Sequence, residues 1–209
     1  PKILIFGSSA EYGIVKENEL PISENNHLRP ITHYGVSKVS QDLLGYPYYA
    51  NYGLKIIRVR PFNLIGSGQS ADFVCSAFAK QISKIEKRNS KPELFVGNLE
   101  PKRDFIDVMD AVKAYWKVLQ TENYGEVYNI GSGKSYSIKK ALDILVSMTN
   151  RNIAVKTDIT KLKKSDVPNQ VSDISKIKRD IGWEPEISLE KSLKDMLDYE
   201  RNGDKYEKC

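Results

Sequence analysis

The sequence predicts an α/β protein built on a mainly parallel sheet. Two observations carry this. Three short runs, Ile3-Leu4-Ile5-Phe6, Lys55-Ile56-Ile57-Arg58-Val59-Arg60 and Val127-Tyr128-Asn129-Ile130, have the length and β-branched content of core strands. Between them lie stretches with apolar residues at helical spacing, so strand and helix alternate along the chain. An open doubly wound sheet normally has about six strands, and only three strong ones are visible. The chain opens on Pro1 and enters an apolar strand at once. The expectation is a buried first strand whose neighbours belong to a preceding segment. In the chain alone this would leave a sheet edge open beside Ile3–Phe6, a hazard for aggregation.

Taken in order, residues 2–7 form the first strand and 14–31 a loop rich in Glu, Asn and Pro. A helix starts at Thr32 or His33, runs toward Asn51 and closes at Gly53. Pro47 falls inside it, and an interior proline costs about 3 kcal/mol. A kink or an early end near Leu44 is therefore expected. The second strand, 55–60, stops at Pro61. Residues 72–87 read as a helix with Phe73, Ala77, Phe78 and Ile82 at helical spacing. A short strand follows at 93–96, then a helix over 108–119 with Asp107 as its N-cap. After the third core strand at 127–130, Ser137 caps a helix toward Met148. Residues 153–157 read as a strand, 173–181 as a short helix ending at Gly182, and Leu189–Arg201 as the last helix.

The 209 residues carry a net charge of +5, and no apolar run of about 18 residues would span a membrane. Basic residues are interspersed with acids, and the densest run is Lys161-Leu162-Lys163-Lys164. A solvated surface is the first reading of this charge and attraction to an anionic small molecule the second. A nucleic-acid face would need a longer basic stripe with aromatics or a known motif. Two cysteines, Cys75 and Cys209, give no disulfide framework, which points to a reducing cytoplasm. No metal site is expected.

Tyr34-Gly35-Val36-Ser37-Lys38 is the first chemical signal. Residues i and i+4 share a helix face, so an ammonium lies beside a phenol. At a separation of about 4 Å and an effective dielectric of about 20, the attraction is about 4 kcal/mol in favour of the phenolate. A tyrosine so placed is a usable general acid or base. The spacing alone is weak, because Tyr136 and Lys140 repeat it. Context sets Tyr34 apart. Upstream a strand ends in Gly7-Ser8-Ser9 and is followed by Glu11-Tyr12-Gly13; downstream another ends in Arg60-Pro61-Phe62-Asn63.

This order resembles the extended short-chain dehydrogenase/reductase family. The resemblance implies a Rossmann-like doubly wound parallel sheet, represented here by its C-terminal strands, with a smaller α/β substrate-binding lobe. Residues 1–62 and 105–135 would form the Rossmann part, and 63–104 and 136–205 the lobe. It also implies a catalytic set of Ser8, Tyr34 and Lys38. Tyr34 would exchange a proton with a sugar oxygen, Ser8 would hydrogen-bond that oxygen, and Lys38 would hold the nicotinamide ribose. Tyr34, Lys38, Pro61 and Phe62 would meet the cofactor, NADP by resemblance, with NAD as the alternative. A homodimer is implied along the catalytic helix, whose surface Pro47 puts in question.

The segments Phe95 to Val108, Gly125 to Gly133 and Ser165-Asp166-Val167-Pro168 resemble enzymes of GDP-mannose-derived sugars. By that resemblance Asn63 contacts the nucleotide sugar, and Lys80 and Arg103 offer charge-assisted donors to its pyrophosphate. Asn98 is a further substrate contact, with a turn residue after Gly97 as the other reading. Arg103 has the other reading of an ion pair with Asp104 or Asp107. Asp166 and Lys163 fall at the nucleoside end. Relatives often carry Arg where Lys163 stands, and lysine lacks the bidentate fork.

The 4,6-dehydratases of this group carry a Glu two residues before the tyrosine matched by Tyr12. This chain has Ala10 there; Glu11 comes one residue later, on the other face of a strand. The resemblance therefore implies reduction of the 4-keto group of GDP-4-keto-6-deoxymannose to GDP-rhamnose. The alternatives are GDP-mannose 4,6-dehydration, another nucleotide-sugar epimerase or dehydratase reaction, or a non-enzymatic sugar-nucleotide-binding module. Gly131-Ser132-Gly133-Lys134-Ser135 imitates the end of a phosphate loop. Tyr128 stands where that pattern needs its first glycine, which leaves a strand-to-helix turn. No G-x-x-G-x-x-G follows a strand, so the chain alone is expected to bind NADP poorly.

Overall fold

The computed structural model describes residues 1–88, 90–162 and 167–203. In chain order the elements are β1 (Lys2–Phe6), α1 (His33–Tyr52), β2 (Lys55–Pro61), β3 (Asn63–Ile65), α2 (Val74–Glu86), β4 (Glu93–Val96), β5 (Lys102–Arg103) and β6 (Phe105–Asp107). Then come α3 (Val108–Gln120), β7 (Val127–Ile130), β8 (Tyr136–Ser137), α4 (Ile138–Ser147), β9 (Ala154–Thr157), α5 (Ser175–Ile181) and α6 (Leu189–Arg201). Single 3-10 turns lie at Ser9–Glu11, Glu17–Glu19 and Ile159–Lys161. No helix among the described residues is long and apolar enough to cross a membrane.

The chain divides into two compact units. The first comprises Pro1–Leu64, Arg103–Ser135 and Val167–Glu186; the second takes in the remaining described residues. Segment 167–186 was expected in the lobe, and it packs in the first unit instead. The cause is apolar burial: Ile177 of α5 and Trp183 just beyond it belong to the cluster formed by Ile57, Val59, Ile106, Tyr128 and Ile130.

The first unit is a parallel sheet in the order β1-β2-β7. Lys2 pairs with Lys55 and Phe6 with Val59; Arg58 pairs with Val127 and Pro61 with Ile130. Side chains alternate across β2. Ile57 and Val59 pack with Ala111, Ala114 and Val118 of α3. Arg60, on the opposite face, reaches Asp42 of α1. The sheet thus has a helix on each face, one interface apolar and the other ionic. β1 closes the strand order, and Ile3 and Phe6 are 38% and 42% exposed, the open edge expected of the chain alone.

α1 begins at Thr32, whose side chain accepts the Gly35 N–H at 3.0 Å. It ends at Gly53, where φ of +65° lets the N–H turn back to the Tyr48 and Tyr49 carbonyls. The early end expected near Leu44 does not occur, and the helix continues through Pro47. The carbonyl that Pro47 leaves without its helical donor belongs to Leu43, an exposed residue.

In the second unit α2 packs on α4 and α6, and β4 pairs in parallel with β9 from Glu93–Ala154 to Val96–Thr157. Its core includes Phe78, Ile82, Leu94, Leu142, Leu145, Leu193 and Leu197. Arg201 ties the end of α6 to α2 through a two-pronged contact with Glu86 at 2.8 and 2.7 Å.

Candidate active site

The site is built where β1 ends. Ser8 caps the 3-10 turn that follows, its Oγ accepting the Ala10 N–H at 3.1 Å. The turn meets the first turn of α1 at Gly35, where an added Cβ would lie 2.7 Å from the Ala10 carbonyl oxygen. Only a residue without a side chain allows that approach. It brings the segment carrying Ser8 against the helix turn carrying Tyr34.

Tyr34 is 56% exposed, so its phenol is open at the surface of the first unit. The Lys38 ammonium lies 5.9 Å from the Tyr34 ring centroid. It donates to the Phe6 carbonyl at 2.8 Å and to Gln41 Oε1 at 2.9 Å. These two bonds fix the lysine between the end of β1 and its own helix. Gln41 escaped the sequence reading, although its i+3 spacing from Lys38 was available as a signal.

Beneath this surface lies a buried ionic layer that the sequence reading also missed. Glu11 and Asp42 are fully buried, and Arg58 and Arg60 nearly so. Glu11 Oε1 accepts the Ser8 N–H at 2.7 Å, and Oε2 lies 3.1 Å from Arg60 Nε. Arg60 also donates to Asp42 Oδ2 from both Nε and Nη2. A further Arg60 nitrogen reaches the Tyr12 hydroxyl at 3.0 Å, and that hydroxyl donates to Asn129 Oδ1 at 2.7 Å. Burial, reinforced by the Asp42 charge and opposed by Arg60, pushes the Glu11 carboxyl up to about 7. Burial likewise drives the Tyr12 phenol far above its usual range. Tyr12 is a structural phenol, in contrast to the open Tyr34.

Pro61 is half-buried, whereas the Phe62 side chain is only 4% exposed and packs with Tyr12 and Ile22. Asn63 donates from its backbone and from Nδ2 to the Asp104 carbonyl at 3.1 and 3.0 Å. Arg103 Nη1 donates to the Val167 carbonyl at 2.6 Å. Asp107 is the N-cap of α3, as expected. In the second unit Lys80 is exposed on α2, and Asn98 Oδ1 accepts the Glu100 N–H at 3.1 Å, the turn role foreseen for it. Lys163 and Asp166 lie outside the described residues. In the glycine-rich turn, the N–H groups of Ser132 and Gly133 already donate to the Asp104 carboxylate. The amides that would cradle a phosphate in a phosphate loop are thus occupied.

The parallel α/β sheet is a Rossmann-like fold, matching solved structures of the nucleotide-sugar reductase, dehydratase and epimerase class. A family model described as GDP-mannose 4,6 dehydratase matches residues 1–196, and the chain belongs to that family. It is 31% identical over 194 residues to a GDP-6-deoxy-D-mannose reductase of Pseudomonas aeruginosa, covering 93% of this chain and 64% of the relative. It is 29% identical over 204 residues to GDP-mannose 4,6 dehydratase 1 of Arabidopsis thaliana, covering 97% and 55%. The structure of RMD from Pseudomonas aeruginosa complexed with NADPH superposes with a TM-score of 0.91 at 30% identity, covering 96% of this chain and 66% of that one. A UDP-glucose 4-epimerase from Thermotoga maritima with UDP-glucose gives 0.83 at 28% identity, covering 97% and 64%. The chain therefore spans less than two thirds of the length of these relatives.

Proposed function

We propose that the chain acts as part of an NADP-dependent nucleotide-sugar oxidoreductase that reduces the 4-keto group of GDP-4-keto-6-deoxymannose to GDP-rhamnose. The observation that carries the choice of reaction is at residues 10 and 11. Elimination of water needs a free acid beside the sugar. Ala10 offers none, and Glu11 is turned inward, with its carboxylate on the Ser8 N–H and beside Arg60. Reduction needs only a proton donor and an oxygen-binding hydroxyl, which Tyr34 and Ser8 supply. The similarity to a GDP-6-deoxy-D-mannose reductase points the same way.

The residues fit a nicotinamide cofactor, NADP on the resemblance and NAD as the alternative. The Lys38 ammonium has three N–H groups and spends two among the described residues, which leaves one for a ribose hydroxyl. Tyr34 is open beside it. When bound, the cofactor supplies the hydride. The Ser8 hydroxyl holds the sugar carbonyl oxygen, the Tyr34 phenol gives that oxygen its proton, and the Lys38 charge stabilises the phenolate left behind. Asn63, Lys80, Asn98, Arg103, Lys163 and Asp166 are proposed substrate contacts, by resemblance. A homodimer along α1 is supported by the exposed Val36, Leu43 and Leu44 on that helix.

The test is an assay on the protein made from its complete reading frame. Given GDP-4-keto-6-deoxymannose and NADPH, it should consume the reduced cofactor, and Tyr34→Phe should lower kcat about 10²–10⁴-fold. Conversion of GDP-mannose to the keto sugar instead would replace this reading with the dehydratase one.

A further inference from the structure

We infer that Glu11 is a positioning residue for the reaction, fixing the Ser8 backbone from below and coupling it through Arg60 and Asp42 to the helix that carries Tyr34 and Lys38. The inference rests on the reading of Ser8 and Tyr34 as the reacting pair.

Three observations carry it. First, Glu11 reaches the Ser8 main chain directly, at 2.7 Å, with no exposure to water. Its carboxylate fills the space under the end of β1 so fully that a Cβ on Gly7 would lie 2.2 Å from Oε1. Second, Arg60 stands between two carboxylates. Its Nε hydrogen-bonds Asp42 at 3.2 Å while facing Glu11 Oε2 at 3.1 Å. Asp42 lies one turn beyond Lys38 on the same helix, so a shift of Glu11 is felt by both halves of the site. Third, Glu11 Oε2 and Asp42 Oδ1 are buried without a hydrogen-bond donor of their own among the described residues. Two acids share too few donors, so the charge state of Glu11 sets how Arg60 divides between them.

The groups facing Glu11 come from every side of this layer. β2 contributes Arg60, with Arg58 3.7 Å from Asp42. α1 contributes Asp42. The Tyr12 hydroxyl and the Glu24 main-chain carbonyl accept from the same guanidinium. Two carboxylates and two guanidiniums leave the layer near neutrality, and a proton on Glu11 unbalances it. The raised Glu11 carboxyl places that event near neutral pH.

The experiment uses the protein from its complete reading frame, as wild type and as Glu11→Gln, which keeps the shape and an acceptor oxygen but removes the titrating charge. Two readouts are taken across pH 5.5 to 8.5: the amide resonance of Ser8, and kcat and KM for the nucleotide sugar. In the wild type the Ser8 amide should titrate in step with kcat. In Glu11→Gln both inflections should vanish, kcat should fall by about 10²-fold from misplacement of the reacting groups, and KM should change little. Loss of the Ser8 titration with kcat and its pH profile unchanged overturns the proposal and leaves Glu11 a structural acid. A wild type that turns over no nucleotide sugar while Ser8 still titrates sinks the reading of the site, and the positioning role with it. A folded variant with wild-type thermal unfolding excludes global misfolding as the cause; if it unfolds, Glu11→Asp, which keeps the charge but shortens the reach, should restore the titration while kcat stays low.

Discussion

The Asp104 carboxylate accepts the Gly133 N–H at 3.1 Å, so an acid just before β6 shapes the glycine-rich turn after β7. The same buried carboxylate takes the backbone and hydroxyl groups of Ser132 and of Ser172. Two separate stretches of the first unit converge on one side chain carried by a third. Asp104→Ala should destabilise the protein by about 3 kcal/mol, because several buried donors lose their partner together. Urea denaturation would read this as a lower midpoint. A change below about 0.5 kcal/mol would mean that water replaces the carboxylate at this junction.

Gly7→Ala places a methyl group 2.2 Å from Glu11 Oε1 and 3.2 Å from the Val59 carbonyl oxygen. The overpacking should cost about 1–3 kcal/mol. The Ser8 turn should shift with it, so turnover should fall more than stability alone explains. Steady-state kinetics on the folded fraction checks this.

Stability should carry a pH signature from Glu11. The folded chain keeps a proton on this acid up to about pH 7, whereas the ordinary carboxyl releases it near 4.5. Folding therefore takes up a proton between these values. The contribution is fully present below the unfolded value and is lost as pH rises through the folded one. Glu11→Gln should flatten the decline in urea midpoint between about pH 4.5 and 7. Parallel slopes in wild type and variant would assign the decline to other groups.

Pro47→Ala should stabilise the protein. The proline stands in a continuous helix, on an exposed face, where alanine is intrinsically better by about 3 kcal/mol. The loss of proline's restraint on the unfolded chain takes back up to about 1 kcal/mol. A net gain of about 2–3 kcal/mol, seen as a higher Tm, is expected. No gain would show that α1 already adapts its backbone to the ring.

Much of this was legible in the sequence because local patterns set local structure. Thr32 and Gly53 mark the ends of α1 by cap chemistry, and both act as caps in the fold. Apolar spacing placed α2, and the caps Asp107 and Ser137 placed α3 and α4, within a residue or two. The failures were of another kind. The two- and three-residue strands β3, β5, β6 and β8 are too short to show a period. Ile177 and Trp183 are apolar, which favours burial without saying in which core. Glu11, Asp42, Arg58 and Arg60 read as charges, and isolated charges normally face water. Only the fold, which sets β2 across α1, shows that they neutralise one another out of solvent. The early end foreseen before Pro47 does not occur, because a proline on the wet side of a helix loses a bond that water can replace.

The interleaved segments of the first unit govern the order in which the protein can be made. β1 waits for β2 as its partner, β2 waits for β7, and Trp183 joins their apolar cluster only after the more than 50 residues that follow β7 have been synthesised. Between these events the ribosome delivers most of the second unit, whose α2 and β4 must also wait, for α6 and β9. Each unit is therefore completed only by a segment far downstream of its first element, the first unit by residues 167–186 and the second by α6. Slow, long-range closure of this kind leaves a half-made sheet uncovered in the nascent chain, where chaperones would be expected to engage it.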